Sequence, residues 1–490
     1  MIEIEGEVNM GDFNNGAVKA AIIGGEYVMT DSVVEVINPS TGGVLATTAD
    51  CGPAEIQLAV DAARSTQKKW RRVAQVERIR LVREVGRLIL RDLEDLASAE
   101  SLQTGKPIAQ GRRDIEITAR YFDFYASVAE SFYGSSFSLT DSIEVTTRFE
   151  PHGVTAHIIP WNYPMQILGR SLAPALVTGN CAVVKPAEEA PLTALMLAAL
   201  VREAGLPDGA VNVVTGMGET AGAALSASPG IDHMSFTGSV EVGRLIGRAA
   251  AESLIPVTLE LGGKSPNIVF PDADLDKAIP VIANSILQNG GQTCSAGSRL
   301  LVHASVHDEV VNRLAAHFAA VRVGPALSDP DLGPLISQMQ RQRVLGFIDL
   351  GRDEAKVLSG GRSLSGGTFQ EGFFVEPTLI DDVPQGSRLY QEEVFGPVLA
   401  VTRFESTEEA VELANATDYG LVAGVWTANI STAHQMVRDV VSGQVFVNTY
   451  GASGGVELPF GGFKKSGFGR EKGVEGIRGF VQVKTAIVAS

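Results

Sequence analysis

Apolar residues along the chain follow two rhythms that trade places. From Pro53 the run PAEIQLAVDAARSTQKKW sets them at helical spacing. Residues 76–102 keep that rhythm with alternating charge, as a surface helix would, until Thr104-Gly105-Lys106-Pro107 stops it. A third helix is expected over roughly 108–129. Short β-prone runs then begin at Ile143, Val154, Ala182, Val211, His233 and Val257, with helical stretches at 172–178, 191–204 and 239–251 between them. The second half repeats the style. Strands are expected at SPNIVF from Ser265 and RLLVH from Arg299, helices at 275–287 and 307–321, and further alternation through 339–351, 371–379, 399–404 and 408–416. Apolar strands bounded by glycine and alternating with helices predict an α/β fold with parallel sheets covered on both faces.

Residues 1–50 read differently, as an extended arm with a hairpin whose turn signals are Asn38-Pro39 and Thr41-Gly42-Gly43. The last strand, VQVKTAIV from Val481, has no obvious local partner and is expected to pair elsewhere, another subunit being one candidate. No internal repeat or low-complexity linker interrupts the chain. The two α/β halves meet near Leu261-Gly262-Gly263, so a ligand site is expected at that junction.

Length and charge narrow the classes. A chain of 490 residues exceeds one ordinary core and implies two or three lobes. With 45% hydrophobic and 20% charged residues it has the composition of a soluble globular protein. The formal charge is −17, and no Lys/Arg block is present, so nucleic acid is not an expected partner. The three cysteines, Cys51, Cys181 and Cys294, form no disulfide framework or zinc pattern, which suits a reducing compartment. Only His303 and His307 stand four apart, straddling a strand end and a helix start, so no metal site is expected. The N-terminal MIEIEGEVNM is acidic and lacks the apolar core of a secretory signal. The longest apolar runs, such as 195–201, are too short to span a bilayer. A cytoplasmic protein without membrane association is the expectation.

Candidate chemistry centres on Cys294, framed by Gly290, Gly291, Gln292 and Thr293 before it and Ser295, Ala296 and Gly297 after it. A thiol among small residues is either presented to a ligand or inert in a turn. Glu260 ends an apolar strand. Burial there would raise its pKa toward that of a general base, unless a local turn satisfies it. Asn162, stiffened by Pro160 and Pro164, is an oxyanion donor or an Asx-turn residue. Phe236-Thr237-Gly238-Ser239 has the layout of a phosphate-binding strand–helix turn, but GxGxxG is absent. Lys185 and Glu188 end a strand, where a lysine and a carboxylate can hold ribose hydroxyls or form a solvated pair. Residues 391–397, QEEVFGP, form another constrained loop, able to hold a nucleoside or simply solvated.

Taken together, these stretches resemble the NAD(P)-dependent aldehyde dehydrogenase superfamily. The resemblance rests on PWNYP from Pro160, KPAE from Lys185, FTGSVEVG from Phe236, LELGGKSPNIVF from Leu259, GGQTCSAGSR from Gly290, EEVFGPV from Glu392 and PFGGFKKSGFGRE from Pro459, all in the family's order. The Glu260-to-Cys294 separation resembles that of the hydrolytic branch. The resemblance implies two doubly wound α/β domains and a β oligomerisation arm. It assigns 1–130 and 152–261 to an NAD-binding domain and 262–460 to a catalytic domain. Residues 131–151 and 461–490 then form the arm and the C-terminal strand, in a homodimer or homotetramer. It implies that Cys294 attacks an aldehyde, that Asn162 and the Cys294 N–H hold the oxyanion, and that Glu260 activates the hydrolytic water. It further implies cofactor contacts from Ile159, Pro160, Trp161, Lys185, Glu188, Gly218, Phe236, Gly238, Ser239, Leu261, Glu393 and Phe395. Glu188 favours NAD over NADP, because a carboxylate repels a 2′-phosphate.

By the same resemblance the substrate tunnel is lined by Tyr163, Ile167, Arg170, Thr293, Ser295 and the loop 450–458. Arg170 is either a fork for a substrate carboxylate or a structural salt bridge. The small residues at 451–455 leave room for a bulky group. A medium-sized aromatic aldehyde or a semialdehyde is therefore expected. The alternatives are an NADP-using succinate-semialdehyde-type dehydrogenase, a CoA-acylating dehydrogenase, a thiol esterase or hydrolase, and a non-catalytic protein. Glu260 argues against CoA acylation, the nucleotide motifs against a hydrolase, and the intact Cys294, Glu260 and Asn162 against a non-catalytic role.

Overall fold

The computed structural model describes residues 18–451 and 455–489. Among these, two sheets carry the architecture. The first has eight strands. Its centre is formed, in chain order, by the parallel strands Val154–Ile159, Cys181–Pro186, Val211–Val213, His233–Thr237 and Val257–Glu260. In space they run third, second, first, fourth, fifth. Ala21–Ile23 and Glu26–Val28 extend one edge antiparallel, and Gly467–Phe468 extends the other. Cys181–Pro186 and His233–Thr237 are buried along their whole length, as strands covered on both faces must be.

The second sheet has seven strands, ordered Lys356–Ser359, Thr378–Asp381, Val398–Phe404, Arg299–His303, Pro266–Val269, Val422–Trp426 and Gln444–Val447. Only the edge strand Lys356–Ser359 is antiparallel to its neighbour. Of the alternation expected at 371–379, only the end falls in a strand, Thr378–Asp381. Helix Leu275–Leu287, strand Arg299–His303 and the helix His307–Ala319 that follows it fall close to where the hydrophobic pattern put them.

Three other differences have physical reasons. The helix expected over 76–102 is two, Gln75–Arg91 and Leu93–Thr104, separated at Asp92 (φ −102°, ψ 26°). Aspartate is a poor helix-interior residue. Arg91 holds the corner by reaching both Asp92 and Glu203. The helix expected at 172–178 begins already at Pro164 and runs to Thr178. It is apolar and buried on nearly every side, so no amphipathic stripe marked its first turns. Proline is well placed at its first position.

The terminal strand finds its partner within the chain. Val481–Ala489 pairs antiparallel with Ile143–Pro151, which also pairs with Ser136–Thr140. Residues 461–490 thus divide: Gly467–Phe468 joins the first sheet, Gly473–Arg478 forms a helix, and only the end joins the arm. At the other end, Val33–Ile37 and Val44–Ala49 form the expected hairpin, closed by the Asn38 N–H donating to the Gly43 carbonyl at 2.8 Å. The acidic stretch at 1–10 lies outside the described residues. No helix among the described residues is long and apolar enough to cross a membrane.

Candidate active site

The strand order of the first sheet reverses between Val154–Ile159 and His233–Thr237. Open α/β sheets bind ligands beyond the carboxyl ends at such a reversal. Ile159 ends the first of these strands and Pro160, Trp161 and Asn162 follow it, while Gly238 and Ser239 follow the other. Lys185, Glu188 and Gly218 lie at or beyond the ends of the neighbouring strands. Val257–Glu260 ends on Glu260, and the chain crosses through Leu261-Gly262-Gly263 into the second sheet at Pro266. The Cys294 loop enters that same sheet through Arg299–His303, so it meets the crossing from the other side.

That loop is shaped by backbone conformation. Asn289, Gly290 and Gly291 have φ of 51°, 64° and 70°, a left-handed run that glycine tolerates without strain. A Cβ on Gly291 would lie 2.1 Å from the Gly396 carbonyl oxygen, and one on Gly263 would lie 2.3 Å from the Cys294 carbonyl oxygen. Hydrogen bonds hold both flanks. Asn162 Nδ2 donates to the Gln292 carbonyl at 3.0 Å, and Asn289 Nδ2 donates to the Asn162 carbonyl at 2.9 Å. Gln292 Oε1 accepts from the Ile336 N–H at 2.9 Å. The Tyr163 and Thr293 hydroxyls pair at 2.9 Å, and Tyr450 donates to the Ser295 carbonyl at 2.7 Å. Tyr163, Thr293 and Ser295 therefore act here as supports of the cysteine loop. Ile167 is buried in the helix below, and positions 452–454 of the expected tunnel loop lie outside the described residues.

Cys294 keeps part of its surface open, while Cys51 and Cys181 are buried. Packing around the Cys294 thiol pushes its pKa up to about 12. The Arg170 charge opposes that rise, Glu393 and Glu260 add to it, and Lys472 opposes it. Glu260 is 1% exposed, and neither carboxylate oxygen has a hydrogen-bond partner among the described residues. Burial drives its pKa well above the usual carboxylate range, and Glu471 adds to the shift against Arg170. The group is thus poised to take a proton.

Arg170, buried in the helix Pro164–Thr178, is engaged by Glu471 through Nε and donates from Nη2 to Thr237 Oγ1 at 3.2 Å. Of the two roles open to it, this arrangement is the salt bridge. Glu471 also accepts from Ser235 Oγ at 2.9 Å. Lys472 follows it at φ 57°. Neither Glu471 nor Lys472 was singled out from the sequence. The available signal was a Glu-Lys pair inside the glycine-rich run GGFKKSGFGREKG, where tight turns can carry charges inward.

On the opposite rim, Lys185 Nζ donates to Glu188 Oε2 at 2.7 Å, with Lys185 buried and Glu188 partly open. Gly238 donates its N–H to the Glu260 carbonyl at 3.0 Å. Ser239 Oγ accepts from the Val242 N–H and caps the helix Val240–Ser253. Both groups of the expected phosphate turn are thus engaged locally. Gly218 is exposed, whereas Ile159, Phe236 and Leu261 are buried in the sheet. Glu393 Oε1 accepts from the Gly263 N–H at 2.9 Å, and burial pushes its carboxyl up to about 7. Phe395, at φ 60°, meets Trp161 edge to face with ring centroids 5.3 Å apart. Far from this crevice, His307 bonds Asp381 at 2.8 Å, and Arg403 faces both Asp381 and Asp382, so the grouping is a polar network already supplied with a cation.

The aldehyde dehydrogenase family pattern matches residues 27–486. Aldehyde dehydrogenase 1 of Tanacetum cinerariifolium is 41% identical over 471 residues, covering 94% of this chain and 93% of that protein. An aldehyde dehydrogenase of Bacillus cereus, solved as an NAD+ complex, superposes with a TM-score of 0.95 at 40% identity, covering 100% of this chain and 99% of the other. A mutant of the P. syringae indole-3-acetaldehyde dehydrogenase AldA, solved with NAD+ and IAA, gives 0.94 at 38% identity, covering 96% and 97%. The chain belongs to the aldehyde dehydrogenase family.

The exposure pattern predicts the order of thiol chemistry. Iodoacetamide should modify native protein at Cys294 first, and faster as pH rises and the thiol loses its proton. Peptide mass mapping checks this. Labelling of Cys51 or Cys181 ahead of Cys294 would contradict it.

Proposed function

We propose that this protein oxidises an aldehyde to the carboxylic acid, with NAD+ as hydride acceptor. The observation that carries the reading is the meeting of three groups at one crossing: the Cys294 loop against Gly263, Glu260 three residues before that glycine, and the Asn162 amide anchored two residues before the cysteine. The rim suits a dinucleotide. An amine and a partly open carboxylate 2.7 Å apart, Lys185 and Glu188, match the donor and acceptor needs of neighbouring ribose hydroxyls. Glu393 and the Phe395–Trp161 edge offer a second ribose contact and an apolar wall.

The chain's own steps follow. Cys294 gives up its proton, and its sulfur bonds the aldehyde carbon to form a thiohemiacetal. Asn162 Nδ2 and the Cys294 N–H donate to the resulting oxyanion. NAD+, which Lys185, Glu188, Glu393 and Phe395 would hold, would supply the acceptor for the hydride lost from that carbon. Cys294 then holds a thioester. Glu260 takes a proton from water, the water oxygen bonds the acyl carbon, and the C–S bond breaks to release acid and thiol. The substrate class we favour is a medium-sized aromatic aldehyde or a semialdehyde. The arm leaves Phe137, Leu139, Val483, Ile487 and Val488 exposed, which supports a homodimer or homotetramer.

Because burial raises both Glu260 and Cys294, their basic forms gain population as pH rises, so NADH formation should climb from neutral to alkaline pH. Cys294→Ser should bind NAD+ normally and lose aldehyde-dependent NADH almost entirely. Normal turnover in that variant would end the proposal. Glu188→Ser should raise the kcat/KM for NADP+ relative to NAD+, and an unchanged ratio would remove Glu188 from the ribose site. Light scattering should give the mass of a dimer or tetramer; a one-chain mass of 51.7 kDa would remove the oligomer.

A further inference from the structure

Two cations share one aromatic ring beside the cysteine. Arg170 Cζ lies 5.3 Å and Lys472 Nζ 5.0 Å from the Phe460 ring centroid. Phe460 packs with Leu421 and Val422, and Cys294 lies against the same cluster. The two cations differ in what balances them. Arg170 has Glu471 as its counter-charge and Thr237 as a further acceptor. Lys472 forms no ion pair or side-chain hydrogen bond among the described residues; its ammonium rests over the ring. Glu260 does not hold it either: neither of its carboxylate oxygens has a hydrogen-bond partner among the described residues. Lys472 is half-buried and keeps part of its side chain open, so its ammonium is a cation without a fixed counter-charge, beside the ring that Cys294 lies against, where an anionic group of a ligand can meet it.

Lys472 is also placed deliberately. Its φ of 57° is a left-handed conformation that a lysine adopts at a cost. Phe460 and Glu471 exchange backbone hydrogen bonds at 2.7 and 2.8 Å, and the Gly473 N–H donates to the Val456 carbonyl at 2.8 Å. These bonds fasten the turn at Lys472 to residues 456–460, which end on the ring that Cys294 lies against. Its charge acts on both the Cys294 thiol and the Glu260 carboxyl. Burial and the neighbouring Arg170 bring its own pKa down to about 8, so the amine stays mostly protonated at neutral pH.

We propose that Lys472 receives the remote carboxylate of the substrate, which makes the preferred aldehydes semialdehydes with an anionic tail. This rests on the dehydrogenase reading above and narrows its substrate class. Arg170 is then the scaffold of the pocket rather than the recognition group.

The test compares succinic semialdehyde with its methyl ester, which keeps the skeleton and removes the charge, in wild type, Lys472→Met and Lys472→Arg. Losing a charge-assisted hydrogen bond should lower kcat/KM for the acid in Lys472→Met by about ten- to a hundredfold more than for the ester. Lys472→Arg should restore most of the difference. Calorimetry with succinate gives a readout that needs no turnover: binding should be lost in Lys472→Met and kept in Lys472→Arg. Equal losses for acid and ester would overturn the proposal, because Lys472 would then act on the thiol or the fold. No loss for either would overturn it as well. If no aldehyde yields NADH, the dehydrogenase reading fails, and succinate binding alone still decides the role of Lys472.

Discussion

The site depends on how closely two backbones approach at Gly262 and Gly263. A Cβ on Gly262 would lie 2.4 Å from Glu393 Oε2, and one on Gly263 would lie 2.3 Å from the Cys294 carbonyl oxygen. Both atoms belong to segments far away in the chain that are packed against this crossing. Without side chains at these two positions, a strand end, a cysteine loop and an acidic loop can occupy one junction. Any larger residue would have to push the Cys294 loop away from Glu260, and the geometry of a shared reaction centre would go with it.

The same junction concentrates charge where water is scarce. Glu260, Glu471 and Arg170 are each buried to 6% exposure or less. Arg170 and Glu471 neutralise each other, which is what makes their burial tolerable. Glu260 has no such partner, and its discomfort appears as a raised pKa rather than as an ion pair. A carboxyl with a close cation would be a weak base. An unpaired one in an apolar wall is a stronger base, so leaving Glu260 unsatisfied sacrifices stability in favour of reactivity.

Much of this was legible in the chain. The alternation of apolar strands and helices gave the two α/β layers, and the glycines around Cys294 marked a loop built for close approach. The junction at 261–263 was visible as a strand end followed by two glycines. Three things were hidden, each for its own reason. The first turns of the helix from Pro164 are buried on nearly every face, Arg170 included, so no stripe of exposed polar positions marks them. The partner of Val481–Ala489 is the distant Ile143–Pro151, and strand pairing at that range leaves no local trace. The pairing of Arg170 with Glu471 joins two segments remote in sequence, so which cation was committed and which was free could not be read from composition.

The two rims of the crevice differ in how complete they are. On the side of Lys185, Glu188, Ser239 and Glu393, each polar group already has a partner within the protein. A ligand there must exchange one set of hydrogen bonds for another, so its net gain per contact is small and affinity has to come from many contacts. On the side of Glu260 and Lys472, the Glu260 oxygens have no hydrogen-bond partner and Lys472 has no ion pair among the described residues. A ligand there supplies what is missing and gains more from each contact. A large, many-pointed molecule suits the first rim, and a small one with few well-placed groups suits the second. That division of labour follows from hydrogen-bond satisfaction alone, before any chemistry is assigned.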